Sequence, residues 1–98
     1  MLVTQIDSKQ LEKVADILKS IAHPLRINIV ELLIENDRLS VNQICDILKS
    51  EQSLTSHHLN NLKMKGVLEN ERIGQNIYYS LKLKEVIKVI NCMKECDL

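Results

Sequence analysis

Apolar residues recur at intervals of three and four along the first part of the chain. Leu11, Val14, Ala15, Leu18 and Ile21 fall on one face of a helix. Asp7 followed by Gln10 supplies a capping pattern ahead of them, so a first helix is predicted over about residues 8–21. His23-Pro24 interrupts it, because a residue before proline avoids the helical region and proline suits the first position of a new helix. Leu25, Ile27, Ile29, Val30, Leu32, Leu33 and Ile34 make the second helix apolar around most of its circumference, as a central helix should be. Asn36-Asp37 ends it. Ser40, with Gln43 three residues on, opens a third helix whose apolar face is Val41, Ile44, Cys45 and Leu48. Residues 49–51 form a short connection. A fourth helix follows over about residues 52–65, closed by Gly66.

The period then changes to two. Residues 67–73 and 76–82 read as strands joined through Gly74-Gln75, with Ile77, Tyr79 and Leu81 alternating against Asn76, Tyr78 and Ser80. Val86, Ile87, Val89, Ile90 and Met93 restore the helical spacing at the end. The order is four helices, a β-hairpin and a last helix. Two short helices joined by a three- or four-residue turn fit a helix-turn-helix, and a hairpin directly behind it makes the fold a winged helix-turn-helix, mainly α with a β-hairpin wing. At 98 residues the chain is read as a single domain over residues 1–98.

Composition refines this picture in two ways. Hydrophobic residues make up 45% of the chain but aromatic ones only 2%, so the core is aliphatic. A lone domain of this size is marginally stable, which favours burying further aliphatic surface between copies. Basic and acidic residues balance at 13 each, against the basic footprint usual for a nucleic-acid binder. Between Lys49 and Lys82 the balance tips to five basic side chains over three acidic ones, a modest local excess. No apolar run is long enough to span a bilayer and no signal-peptide pattern opens the chain, so a cytoplasmic, nucleoid-associated protein with no membrane contact is expected. Three cysteines cannot all pair within one chain, and reduced thiols are the expectation there.

The fourth helix carries the chemistry. Turning Thr55, His58, Leu59 and Leu62 inward places Ser53, His57, Asn60 and Met64 on the opposite face, with Gln52 and Ser56 flanking its start. Gln and Asn can pair bidentately with adenine, Ser reaches base edges or phosphate, and the helix start offers free amides. A polar outer face is ordinary for any surface helix; its place in a helix-turn-helix ahead of a wing points to double-stranded DNA. Gln52, Ser53, Ser56, His57 and Asn60 are the expected base and phosphate contacts. Lys63, Lys65 and Arg72 supply charge, and Gln75 and Asn76 lie at the wing tip. No Ser-His-Asp set, carboxylate pair or glycine-rich phosphate loop appears, so an enzyme reading has no residues to rest on.

Several stretches resemble one family of regulators. Ser20-Ile21-Ala22-His23-Pro24-Leu25-Arg26 resembles the "ALAxPxRLxIL" entry of the arsenic-repressor (ArsR/SmtB) family. Leu39-Ser40-Val41-Asn42-Gln43-Ile44 is similar to its "LSVxEL" segment, and Gln52-Ser53-Leu54-Thr55-Ser56-His57-His58-Leu59 to its "QSxxSxHL" reading helix. Gly66-Val67-Leu68 and Gly74-Gln75-Asn76-Ile77-Tyr78-Tyr79 look like its "GLV" and "GrxvyY" wing. The resemblance runs over residues 11–90 without a gap. It implies a homodimeric, metal- or thiol-responsive repressor joined through its first and last helices, two reading helices facing successive major grooves of an imperfect palindrome. Leu11, Val14, Leu18, Val86, Val89, Ile90 and Met93 are the residues expected between the subunits.

The family's sensor sites are absent at the matching positions. Where metal-binding members carry Cys-x-Cys on the third helix, this chain has Ser40 and Asn42, and residues 82–98 contain no histidine for a site on the last helix. No metal and no cofactor is expected. Cys45, Cys92 and Cys96 remain. Members that sense oxidants or reactive sulfur place one cysteine where Cys45 falls and another near the C-terminus, which implies redox sensing here. Cys92 and Cys96 are expected to share a helix face. A cysteine on an apolar face is also simply a small hydrophobe, and three thiols converging could hold a soft metal ion, so a metal-responsive repressor with a non-standard cysteine site stays open. A further alternative, from the neutral charge, is a winged-helix module that binds protein.

Overall fold

Caps and one proline set the helix limits. The structure of the protein, a computed structural model, describes residues 7–96. The Asp7 carboxylate accepts the backbone N–H of Gln10 at 2.8 Å and opens α1 (Ser8–Ile21). His23 caps α2 (Pro24–Glu35), its Nδ1 accepting from the backbone N–H of Leu25, with Pro24 in the first turn. Ser40 and Gln43 close the full reciprocal box at the start of α3 (Val41–Leu48). Lys49, in the left-handed conformation at φ 54°, ends that helix and turns the chain into α4 (Gln52–Met64). Gly66, at φ 81°, takes the chain out of α4.

The wing consists of β2 (Leu68–Ile73) and β3 (Asn76–Leu81), paired from Leu68↔Leu81 to Ile73↔Asn76. Gly74 alone has positive φ in the two-residue turn, as a type II′ turn requires. One element was not expected from the sequence. Leu39 and Ser40 form β1, which pairs with Tyr79 and Tyr78 and extends the hairpin to a three-stranded sheet in the order β1-β3-β2. Two residues are too few to show an alternating pattern; their pairing becomes possible only when the hairpin folds back beside them. This strand anchors the wing to the start of the helix-turn-helix. The chain closes with α5 (Val86–Glu95).

The core is aliphatic apart from Tyr79 of β3. Ile29, Val30 and Leu33 of α2 pack with Ile44 of α3, Leu59 and Leu62 of α4, Val67 and Leu68, Leu81, and Val86 and Ile90 of α5. α1 contributes Ile21 at its end but leaves Leu11, Val14 and Leu18 exposed at 46%, 40% and 45%. Among the described residues, no helix is long and apolar enough to cross a membrane.

Candidate nucleic-acid interface

α4 divides as its spacing predicts. Thr55, His58, Leu59 and Leu62 are buried, while Gln52, Ser53, His57 and Asn60 are exposed and Ser56 is half-buried. Thr55 Oγ1 donates to the carbonyl of Glu51 at 2.8 Å and lies 2.6 Å from Ser50 Oγ. With its own proton already committed, Thr55 accepts from Ser50, which ties the turn between α3 and α4 to the first turn of α4.

The far side of α4 is held by an arginine. Arg26 of α2 donates from Nε to Nδ1 of His58 at 2.9 Å and from a terminal nitrogen to the carbonyl of Ser20 at 2.8 Å. One guanidinium thus joins the end of α1, the start of α2 and the middle of α4. The bond needs His58 neutral, with its proton on Nε2. Burial pushes the His58 pKa down, and Arg26, His23 and His57 push it the same way. His23 stacks obliquely at 4.5 Å between ring centres and His57 meets His58 edge-on at 5.5 Å. Nothing in the sequence spacing announced this cluster, since Arg26 and His58 lie 32 residues apart.

The ten residues expected at the DNA fall into three groups. Gln52, Ser56, Gln75 and Asn76 come together, lining a polar cleft of about 190 Å³ between α4, the first turn of α3 and the wing tip. Asn42, which sequence reasoning passed over except as a missing metal ligand, lies in the same cleft, above Val41 and Ile77. Ser53, His57 and Asn60 form a separate exposed strip, and within it Ser53 donates to the Glu51 carboxylate at 2.6 Å. Asn60 reaches the Met64 sulfur at 3.6 Å, and the Asn61 amide lies 3.2 Å from Nε2 of His57. Lys63 is exposed near the end of α4, and Lys65 beyond it pairs with Asp16 of α1 at 3.2 Å.

Strand alternation sorts the wing's charges. Residues opposite each other in the ladder share a face, so Arg72, opposite Ile77, projects on the cleft side. Glu71, opposite Tyr78, projects on the other face, where Arg38 pairs with it at 3.3 Å and lies 5.3 Å from the Tyr78 ring centre. A formally neutral chain therefore turns one wing cation towards the α4 side of the wing and its neutralised acid away from it.

The cysteines lie on α3 and at the end of α5. Cys45 is half-buried on α3 and Cys92 is exposed on α5. Cys96 follows Cys92 by four residues as the C-cap of α5, after which the backbone turns extended at ψ 136°. All three are free thiols, and no group of three or more His, Cys, Asp or Glu side chains among the described residues is placed to hold a metal ion.

An apolar groove of about 270 Å³ runs between α1 and α5, with Val14, Ile17, Leu18, Val86 and Val89 among its walls. Val86 and Ile90 were expected between subunits, but at 2% exposure each they are spent on the protomer's own core. Leu11, Val14, Leu18 and Met93 retain 40–46% exposure.

Comparisons with known proteins bear on this arrangement. The pattern described as bacterial regulatory protein, arsR family, matches residues 23–70. The transcriptional repressor PagR of Bacillus anthracis is 44% identical over 91 residues, covering 89% of this chain and 90% of its own length. Its crystal structure superposes with a TM-score of 0.81 at 40% identity, covering 89% of this chain and 99% of that one. HlyU from Vibrio cholerae N16961 superposes with a TM-score of 0.82 at 30% identity, covering 89% and 94%. The cadmium resistance transcriptional regulatory protein CadC of Listeria innocua serovar 6a is 36% identical over 81 residues, covering 83% of this chain and 66% of that protein.

Proposed function

This chain belongs to the arsR family of bacterial regulatory proteins, and from that premise we propose that it is a transcriptional repressor that binds DNA as a homodimer. The observation that carries the reading is α4 itself: a helix fixed to the core by Thr55, His58, Leu59 and Leu62 that offers Gln52, Ser56, His57 and Asn60 outward beside a wing. In this geometry α4 enters the major groove and the wing lies against the adjoining backbone. Gln52, His57 and Asn60 read base edges, Ser53 and Ser56 reach base or phosphate, and Lys63, Lys65 and Arg72 contribute charge. Two copies, joined over the apolar groove of α1 and α5, present two reading helices to half-sites of an imperfect palindrome.

Thiol control is part of the proposal. Cys45 lies on the helix that leads into α4, and Cys92 and Cys96 lie at the far end of α5. A peroxide or polysulfide that accepts two electrons and the two thiol protons as Cys45 forms a disulfide with one of them would shift α3 against α5 and release the operator.

Binding to a duplex selected by the protein from a random-sequence pool tests the central claim. Affinity should fall linearly with the logarithm of salt concentration, and His57→Ala and Asn60→Ala should each cost about 1–3 kcal/mol of discrimination while leaving the helical circular dichroism intact. Affinity indifferent to salt, or unchanged in both variants, would assign this face to a protein partner instead.

A further inference from the structure

None of the residues that line the cleft between α4 and the wing is charged, Arg72 lying outside that lining on the same face of the wing. The cleft's polar wall is made of carboxamides and two hydroxyls, from Ser40 and Asn42 at the start of α3, Gln52 and Ser56 of α4, and Gln75 and Asn76 at the wing tip, over the half-buried side chains of Val41 and Ile77. Ser40 and Gln43 are engaged with each other in the capping box, which leaves Asn42 as the polar side chain that α3 turns to the cleft.

The position of the cleft identifies what enters it. With α4 in the major groove and the wing at the neighbouring backbone or minor groove, the element between the two grooves is one sugar–phosphate strand. That strand has to pass between α4 and the wing tip, where the cleft lies. We propose that the cleft grips this strand through neutral hydrogen bonds, with Asn42 and Gln75 donating to phosphate oxygens from opposite walls. The inference rests on the DNA-binding reading and deepens it. A side-chain amide can donate to a phosphate as well as a lysine can, but it displaces no counterion. Contacts made here therefore add affinity that salt does not remove. This gives a protein with 13 acidic and 13 basic residues a hold on DNA that does not depend on a basic surface.

Binding is measured by fluorescence anisotropy across a range of salt concentrations. One duplex is that selected by the wild-type protein, and the other is an unrelated sequence of the same length. Asn42→Ala should weaken both duplexes by the same factor, about tenfold per protomer for one hydrogen bond to a charged oxygen, with the slope of log affinity against log salt unchanged. Gln75→Ala should behave alike. Lys63→Ala, the contrasting variant, should reduce the slope by about one. Asn42→Asp, which sets a carboxylate against the phosphate, should weaken binding most at low salt, where repulsion is least screened.

Wild-type affinity in Asn42→Ala and Gln75→Ala would overturn the inference, and so would a loss confined to the selected duplex, since that signals base reading. Both results leave the DNA-binding reading intact provided wild-type protein binds and Lys63→Ala does not match it. A wild-type protein that binds neither duplex at low salt would remove that reading and the inference with it.

Discussion

Leu18 offers a direct test of how two copies meet. It sits on the exposed stripe of α1, in the wall of the groove shared with α5, and keeps 45% of its surface exposed in the protomer. Burying a leucine side chain from full exposure contributes about 1.5–3 kcal/mol, so covering the part that remains exposed contributes about 1 kcal/mol. A two-fold interface uses every residue twice. Leu18→Ala should therefore cost the dimer about 1.5–2 kcal/mol, which is roughly a 10- to 30-fold rise in dimer Kd. Leu18→Glu should go further. It brings a carboxylate from each protomer to a largely apolar contact that must desolvate it, and the protein should run as a monomer at micromolar concentration. The protomer should stay folded in both cases, because the side chain is nearly half exposed there and the core of Ile29, Leu59 and Leu62 is untouched. Sedimentation velocity over a dilution series gives the Kd, and far-ultraviolet circular dichroism checks the fold. A Leu18→Glu protein that is helical and still dimeric at the wild-type Kd would refute the α1–α5 interface.

Two further outcomes follow from the histidine cluster and the thiols. The folded His58 resists protonation while the unfolded one takes a proton at the ordinary value of about 6.5; the unfolded state then binds more protons, so the stability this site contributes is present above that pH and is lost as pH falls below it. Urea unfolding at pH 7.5 and pH 5.5 should show wild type losing more stability on acidification than His58→Gln, whose amide oxygen still accepts from Arg26; equal losses would dismiss His58 as the titrating group. Cys45→Ser should bind DNA as wild type does but no longer be released by mild oxidant or polysulfide, and a variant still released would exclude Cys45 from the switch.

Local chemistry was legible where it acts over a few residues. The limits of α1 followed from Asp7 and Gln10, the break before α2 from His23-Pro24, and the start of α3 from Ser40 and Gln43. The turn of the wing followed from Gly74. In each case the hydrogen bond or the dihedral restriction is made within four residues, so sequence and structure report one event. The inward and outward faces of α4 were equally plain, since a period of 3.6 sorts side chains before any partner is known. At the C-terminus α5 runs to Glu95, with Cys96 as its C-cap.

The family, the helix-turn-helix with its wing and the inward and outward faces of α4 were thus determined by the sequence alone. Tertiary structure decided which partner each surface would find. Periodicity marks a residue as apolar on one side but does not say what covers it, and so Val86 and Ile90 went to the protomer's own core while Leu11, Val14 and Leu18 stayed outside. β1 exists because β3 lies beside it, and the Arg26–His58 bond because α2 carries one group to the other across 32 residues of chain. The cleft that unites Asn42, Gln52 and Gln75 has walls from three elements. Such contacts depend on the packing of whole helices and strands, a property no short window of sequence contains.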